Sequence, residues 1–275
     1  MLEQILMIEK ARENCRADSR IIAAIQYGSF VQGEGDEYSD IEFVLFIDDE
    51  SIDSFDKKEW VEKINPAALF FADDIGHYTT IFQNLVRGEF HFIPVSHMEI
   101  VRTWKGNAWF PSLEKAILVD RHGELSKLLQ PLTGSAPERN LPEMVQSLIP
   151  NFINWMLFGS NTLARGEYAR SLELLNSTHR YLLKFLRLSE GKTDHWPTPS
   201  RCLEKDIDKH SYERYQRCTA GLQPDQLRQA YLESWSWGVE MMQKAANIHD
   251  ILLPDHLISD ITQRQLSYFG KREEI

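Results

Sequence analysis

The sequence predicts an α+β protein in which an N-terminal mixed β-sheet flanked by helices is followed by a C-terminal all-α helical bundle domain. Three observations lead to this fold class. Short runs rich in β-branched and aromatic residues recur between residues 21 and 119. A stretch containing glycine, serine and two prolines follows at residues 132–142 and indicates a linker. Beyond it, apolar residues recur at helical spacing.

The N-terminal half opens with a predicted helix at residues 2–16. The predicted strands are all rich in Ile, Val, Phe or Tyr: residues 21–27, 41–47, 67–71, 78–82, 88–93 and 116–119. A further helix is predicted at residues 53–64, between the second and third strands. The C-terminal half contains four predicted helices: residues 143–165, 167–189, 223–247 and 255–268. The predicted domains are therefore residues 1–135 and 136–275.

Composition narrows the classes of function. The 275 residues include 41 acidic and 30 basic side chains, so the net charge is −11. No basic stripe is visible, and nucleic acid is not expected as a partner, since proteins that bind it usually neutralise its phosphates with such a stripe. Three widely spaced cysteines indicate reduced thiols in a cytoplasmic protein. No signal peptide or membrane partner is expected, because the longest apolar run, residues 67–72, is too short to cross a bilayer.

The chemically informative stretch is residues 27–46, YGSFVQGEGDEYSDIEFVLF. It begins where a predicted strand ends at Gly28 and Ser29, and continues through a loop that contains Gly33 and Gly35. Gly28 would let the backbone approach a phosphate closely, and the Ser29 hydroxyl could bind its oxygens. The loop lacks the spacing of a P-loop or a Rossmann dinucleotide motif. From these residues alone, an ordinary surface loop is the alternative.

The strand after this loop opens on Asp40 and Glu42. Side chains two residues apart on a strand point to the same face, so the two carboxylates project together, roughly 7 Å apart at their backbones. Their mutual repulsion would cost about 2 kcal/mol at an effective dielectric constant near 20. A divalent cation would remove that cost, and carboxylate oxygens suit Mg²⁺. Two solvated acids on a strand are the alternative.

This arrangement resembles a known family. Gly28-Ser29, ten intervening residues and Asp40-x-Glu42 look like the nucleotidyltransferase signature of the DNA polymerase beta superfamily. The longer string YGSF-x-x-GEGD-x-YSDIEF resembles the antibiotic-modifying branch, in particular the lincosamide nucleotidyltransferases, which adenylylate a hydroxyl of lincomycin and clindamycin. The likeness continues in NLVRGEFHF, KAILVD and RGEYARSLELL, at residues 84–92, 115–120 and 165–175.

The resemblance implies Mg²⁺ as the cofactor and ATP as the co-substrate. Residues 1–135 would form the nucleotidyltransferase domain, which holds the metal and the triphosphate, and residues 136–275 a helical domain that closes over substrate and nucleotide. Asp40 and Glu42 would bind the metal, and the nucleotide would be held by Gly28, Ser29 and Ser39. The residues leave GTP or another triphosphate as an alternative to ATP, because no motif that would bind the nucleotide base is visible.

A third carboxylate lies in the predicted strand at residues 88–93. The sequence alternates there, so that Glu89 and His91 share one face while Phe90 and Phe92 take the other. By resemblance, Glu89 is the general base that activates the acceptor hydroxyl. A third metal ligand or a solvated strand residue are the alternatives, and His91 is predicted to support the site structurally.

One arginine of the C-terminal half is a candidate for nucleotide binding. Arg170 would bind triphosphate oxygens by resemblance, whereas its spacing from Glu167 equally favours a local ion pair across one helical turn. Four other cations are further candidates for phosphate contact, although a lysine or arginine on a helix is usually just solvated, and solvation is favoured for each: Lys184, Arg187, Lys192 and Lys205.

The predicted activity is therefore transfer of AMP from ATP to a hydroxyl of a lincosamide antibiotic, with release of pyrophosphate. An aminoglycoside nucleotidyltransferase is the nearest alternative, because an acidic surface also suits a polycation. A nucleotidyltransferase-fold module that binds a protein partner, as in some toxin–antitoxin pairs, is an alternative of another class, and a non-catalytic binding module is disfavoured by the retained acids. A homodimer is also expected from the resemblance.

Overall fold

The computed structural model describes residues 1–74 and 76–269 of the chain. The chain divides into two compact units, Met1–Pro137 and Glu138–Ile275. The first unit contains a mixed sheet and several helices, and the second is mainly helical between residues 142 and 269. The predicted α+β fold class is thereby confirmed.

The N-terminal unit contains every predicted strand, with ends that differ by at most one residue from the prediction. The strands are β1 (Ile21–Tyr27), β2 (Ile41–Ile47), β3 (Ala67–Ala72), β4 (Tyr78–Phe82), β5 (Arg87–Pro94) and β6 (Ile117–Asp120). The helices are α1 (Glu3–Ala17), α2 (Ser29–Gln32), α3 (Lys57–Glu62), α4 (Leu113–Ala116) and α5 (Glu124–Leu129). The helix predicted at residues 53–64 is shorter, because a 3-10 turn at Ile52–Ser54 precedes it and Asp56 caps its first turn through a hydrogen bond from Glu59 N–H.

Among the described residues, the six strands form one sheet in the order β3-β4-β5-β2-β1-β6. Strands β2 and β5 run parallel, and the other neighbouring pairs are antiparallel. Both faces of the central strands are buried, which explains why β2 is apolar at almost every position. Phe43 and Leu45 enter one hydrophobic core with Trp60, whereas Val44 and Phe46 enter the core on the opposite face.

Up to residue 269, the C-terminal unit contains four long helices and two short ones: α6 (Pro142–Ala164), α7 (Tyr168–Glu190), α8 (Leu203–Asp206), α9 (Lys209–Arg217), α10 (Pro224–Ile248) and α11 (Asp255–Phe269). The four long helices were predicted, and α8 and α9 were not. Helix α6 continues through Pro150. Phe152 of α6 stacks on Trp235 of α10, with ring centroids 5.9 Å apart, and Gly238 of α10 lies so close to Phe152 that a Cβ there would sit 2.0 Å from the ring.

One titratable side chain is enclosed in this helical core. His179 of α7 is buried, with Nδ1 3.4 Å from the Tyr215 hydroxyl and Nε2 3.4 Å from the Ser234 hydroxyl. Burial lowers the pKa of His179 to about 4, because the imidazolium would lose its hydration there. The side chain is therefore neutral in the folded protein near pH 7.

No helix within residues 1–74 and 76–269 is both long enough and apolar enough to cross a bilayer.

Candidate active site

The three acids predicted to act together lie at one end of the two central strands of the sheet, β2 and β5. Asp40 directly precedes β2, and Glu42 is the second residue of that strand. Glu89 of β5 is the register partner of Glu42 in the parallel pair, and Tyr27 of β1 is its partner on the other side. Cross-strand partners share a face of the sheet. The row Tyr27, Glu42 and Glu89 therefore places two of the acids side by side, and Asp40 shares that face.

Arg87 joins two of these acids. Its Nη1 donates a hydrogen bond to Asp40 Oδ2 at 2.6 Å, and its Nη2 donates to Glu89 Oε2 at 2.9 Å. The guanidinium thus holds the two carboxylates around one positive charge and offsets their repulsion. Arg87 is a site residue that the sequence did not single out. The signal was present, since Arg87 precedes Glu89 by two residues on the same strand and so shares its face.

Glu89 also receives hydrogen bonds from the opposite side. The Tyr27 hydroxyl donates to Glu89 Oε1 at 2.8 Å, and His91 Nε2 lies 3.1 Å from the same oxygen. Burial raises the pKa of Glu89, but the hydrogen bonds from Tyr27, Arg87 and His91 outweigh burial and leave the pKa below its ordinary value. Glu89 is therefore ionised at neutral pH and can accept a proton.

The two aromatic neighbours of Glu89 are themselves held in their neutral forms. Burial, and then the adjacent Glu89 carboxylate, raise the pKa of Tyr27 far above its ordinary value. Burial, and then the neighbouring His77, lower the pKa of His91. The Tyr27 hydroxyl also lies 2.8 Å from His91 Nε2. His91 thus contacts the Glu89 carboxylate, and its supporting role stays a prediction; the contact of Tyr27 with Glu89 was not predicted.

Gly28 and Ser29 lie directly beside these acids. Gly28 has φ 78° and ψ −156°, a conformation that is essentially restricted to glycine. A Cβ at this position would sit 1.5 Å from Glu42 Oε2, so the glycine leaves the space that the Glu42 carboxylate fills. Ser29 begins α2, and its buried Oγ has no hydrogen-bond partner among the described residues. A buried hydroxyl without a partner costs free energy unless a ligand satisfies it.

Ser39, the other loop residue predicted to bind nucleotide, is engaged in a local turn. Its Oγ donates to Asp36 Oδ1 at 2.9 Å and accepts a hydrogen bond from Asp36 N–H at 3.0 Å. The Ser39 carbonyl accepts a hydrogen bond from the Gln4 side chain of α1 at 3.2 Å. These bonds fix the loop immediately before Asp40. Nucleotide binding by Ser39 stays a prediction.

Arg170, in the C-terminal unit, makes the local ion pair with Glu167 that was the alternative to triphosphate binding. Its Nη1 lies 3.5 Å from Glu167 Oε2, and its guanidinium carbon lies 5.4 Å from the centre of the Phe158 ring. More than half of the side chain is exposed, so both contacts are weak. A role of Arg170 in triphosphate binding stays a prediction.

The solvated position predicted for Arg187 is wrong. Its side chain is fully buried and donates to Asp206 Oδ2 at 2.9 Å. Its remaining N–H groups bind the carbonyl oxygens of Lys192, Pro199 and Arg201, and so tie the loop after α7 to the helix. These contacts make Arg187 a structural residue, because a buried charge requires such partners.

The residues at this end of β2 and β5 have the charge and the donor atoms that suit a magnesium ion. The guanidinium of Arg87 pairs with two of the three carboxylates, and the group of four side chains has a formal excess of two negative charges, which one divalent cation would balance. Carboxylate and hydroxyl oxygens are the hard donors that Mg²⁺ prefers. The unsatisfied Ser29 hydroxyl could donate a hydrogen bond to a polar ligand.

A family model matches most of the helical half of the chain. Residues 142–264 match the family model described as "Lincosamide nucleotidyltransferase-like, C-terminal domain". This match confirms, for that half, the resemblance drawn from the sequence. No curated protein matches the chain in a direct comparison.

Two solved structures overlap the chain loosely. One is an aminoglycoside 6-adenyltransferase from Bacillus subtilis, with 13% identity, a TM-score of 0.45, and coverage of 98% of this chain and 100% of that one. The other is a nucleotidyltransferase-like protein from Exiguobacterium sibiricum 255-15, with 14% identity, a TM-score of 0.38, and coverage of 99% and 96%. Residue roles do not transfer at such similarity.

Proposed function

Because residues 142–264 match the lincosamide nucleotidyltransferase-like C-terminal domain, we propose that this chain transfers AMP from ATP to a hydroxyl group of a lincosamide antibiotic. The observation that carries the proposal is the placement of Asp40, Glu42 and Glu89 at the same end of β2 and β5. Gly28 and the buried Ser29 hydroxyl follow directly at the end of the neighbouring strand β1. The buried Ser29 hydroxyl has no hydrogen-bond partner among the described residues, and a phosphate oxygen would satisfy it.

Asp40 and Glu42 are the residues that would hold Mg²⁺, and the Glu89 carboxylate lies beside them. When bound, the ion would neutralise charge on the triphosphate and stabilise the attacking and departing oxygens. The Ser29 hydroxyl would donate to a phosphate oxygen, and Gly28 would support the nucleotide site by leaving room for the Glu42 carboxylate. Arg170 would contribute a further positive charge to the triphosphate.

The Glu89 carboxylate would accept the proton of the acceptor hydroxyl. The hydroxyl oxygen then forms a bond to the α-phosphorus of ATP, and the bond from this phosphorus to the bridging oxygen breaks, so that pyrophosphate leaves with the electron pair. The lowered pKa keeps Glu89 ionised at neutral pH, so its carboxylate is unprotonated when the acceptor binds. Arg87 and Tyr27 hold opposite oxygens of the carboxylate and so restrict its rotation.

The decisive experiment is incubation of the protein with ATP, Mg²⁺ and lincomycin, followed by mass spectrometry for the mass of one added AMP. Asp40→Asn should lower turnover at least about a hundredfold, the scale seen when a group that stabilises transition-state charge is removed. Asp53→Asn is the matched control, because Asp53 is exposed in the 3-10 turn at Ile52–Ser54. Near-normal pyrophosphate release by a folded Asp40→Asn protein would remove Asp40 from the mechanism.

The acceptor is tested in the same experiment. The net charge of −11 would also favour a polycationic aminoglycoside. Streptomycin and kanamycin are therefore included as alternative acceptors. AMP on an aminoglycoside but not on lincomycin would change the substrate class and keep the chemistry, whereas no modified antibiotic at all would refute the proposal.

A further inference from the structure

A cluster of nitrogen and oxygen donors lies next to the proposed magnesium ligands. The register of β4 and β5 pairs Tyr78 with Phe90, and one further step along the chain brings His77 opposite His91. The two imidazole rings have centroids 4.0 Å apart. One ligand atom each from His77, Glu89 and His91 lies within 4.8 Å of the other two.

The spacing of these atoms is close to that of a metal site. Ligands about 2.0–2.1 Å from a tetrahedral Zn²⁺ are themselves about 3.4 Å apart. His91 Nε2 and Glu89 Oε1 already lie 3.1 Å apart. His77 has only to swing towards this pair, and its side chain is about one-third exposed and therefore has room to do so.

Asp73 fixes the backbone beside the cluster. Its carboxylate accepts a hydrogen bond from the backbone N–H of His77 at 2.8 Å, and its second oxygen lies 4.0 Å from His77 Nδ1. The imidazole therefore lies near this carboxylate but beyond hydrogen-bond distance of it. Arg87 binds Glu89 through Oε2, so Oε1 is the oxygen that faces the imidazoles.

We propose that His77, Glu89 and His91 form a second metal site, selective for Zn²⁺ over Mg²⁺. Two imidazole nitrogens with one carboxylate oxygen form a donor set that binds Zn²⁺ and Co²⁺, whereas Mg²⁺ prefers an all-oxygen set. The site shares Glu89 with the candidate active site. Zn²⁺ therefore inhibits AMP transfer by occupying the proposed base, a consequence that rests on the proposed function, while the binding itself does not.

The test measures binding on the full-length, metal-stripped chain without nucleotide. Titration calorimetry with ZnCl₂ should give one site per chain that excess Mg²⁺ does not displace. CoCl₂ should produce visible absorption bands without the thiolate charge-transfer bands that cysteine ligands would add. His77→Ala should weaken Zn²⁺ binding about 100-fold or more, since loss even of a group that orients a ligand costs 10–100-fold. His97→Ala, which removes an exposed histidine of the same unit, should leave binding unchanged.

Equal Zn²⁺ affinity in the His77→Ala and wild-type proteins, or thiolate bands in the Co²⁺ spectrum, would overturn the site. Activity then separates the two proposals. Zn²⁺ should inhibit transfer by the wild-type protein, and His77→Ala should retain transfer and require at least about tenfold more Zn²⁺ for the same inhibition. Transfer of AMP without Zn²⁺ binding refutes the metal site alone, and Zn²⁺ binding without transfer to any antibiotic refutes the proposed function alone.

Discussion

Replacement of Gly28 by alanine should separate the role of this residue in the site from its role in the fold. The backbone there has φ 78° and ψ −156°, and a Cβ would sit 1.5 Å from Glu42 Oε2 and 2.5 Å from Glu42 Cδ. Both distances lie far inside van der Waals contact. The Glu42 carboxylate must therefore leave its place beside Asp40, because the flexible end of a glutamate moves more easily than the backbone of β1 and α2.

The two effects have different expected sizes. A non-glycine residue in this backbone region costs about 1–3 kcal/mol of folding free energy. Rotation of Glu42 away from its preferred rotamer adds about 0.5–1.5 kcal/mol. Removal of a carboxylate from the proposed metal site should lower kcat/KM at least about a hundredfold, which corresponds to about 2.7 kcal/mol of transition-state stabilisation.

Gly33→Ala is the matched control. Gly33 also has a positive φ, 80°, but with ψ 16° it lies in the left-handed helical region, and nothing lies within 4 Å of a Cβ built there. This variant should lose about 1–2 kcal/mol of stability and keep its activity. Urea unfolding measures stability, and pyrophosphate release measures activity. Calorimetry with Mg²⁺ and a non-hydrolysable ATP analogue adds a readout that does not depend on the acceptor. A Gly28→Ala protein that binds nucleotide and turns over like Gly33→Ala would refute the reasoning.

Two further predictions concern buried polar groups. Tyr27→Phe should lower the free energy of unfolding by about 1 kcal/mol and reduce turnover, because Glu89 loses one hydrogen-bond donor; Tyr38→Phe, at an 87% exposed side chain, should change neither. His179 keeps a pKa of about 4 in the folded protein and would titrate near 6.5 when unfolded. The stability that His179 contributes is therefore fully present above about pH 6.5. As the pH falls towards 4, protonation of His179 in the unfolded protein lowers the free energy of unfolding by up to about 3 kcal/mol. Urea unfolding at pH 7 and pH 4.5 should show a smaller pH dependence for His179→Gln than for the wild type, and equal pH dependence would contradict the assignment.

The strands and long helices could be predicted because the burial of their side chains requires apolar residues at regular positions in the sequence. The alternation and the β-branched runs located all six strands, since both faces of the central strands are packed. The short helices α8 and α9 were missed because four and nine residues carry too little periodicity to stand out. Arg187 was placed in solvent because helical periodicity does not reveal a loop that folds back over the side chain.

Local spacing alone determined that Asp40 and Glu42 project together and that Glu89 and His91 share a face, because side chains on a strand alternate with a period of two. The pairing of β2 with β5, which brings Glu42 beside Glu89, was decided only in the folded sheet. The same holds for Arg87 between two acids and for His77 opposite His91, 14 residues further along the chain. Such contacts depend on strand order and register, which arise when separate segments pack against a common core, and no pattern within one segment encodes them.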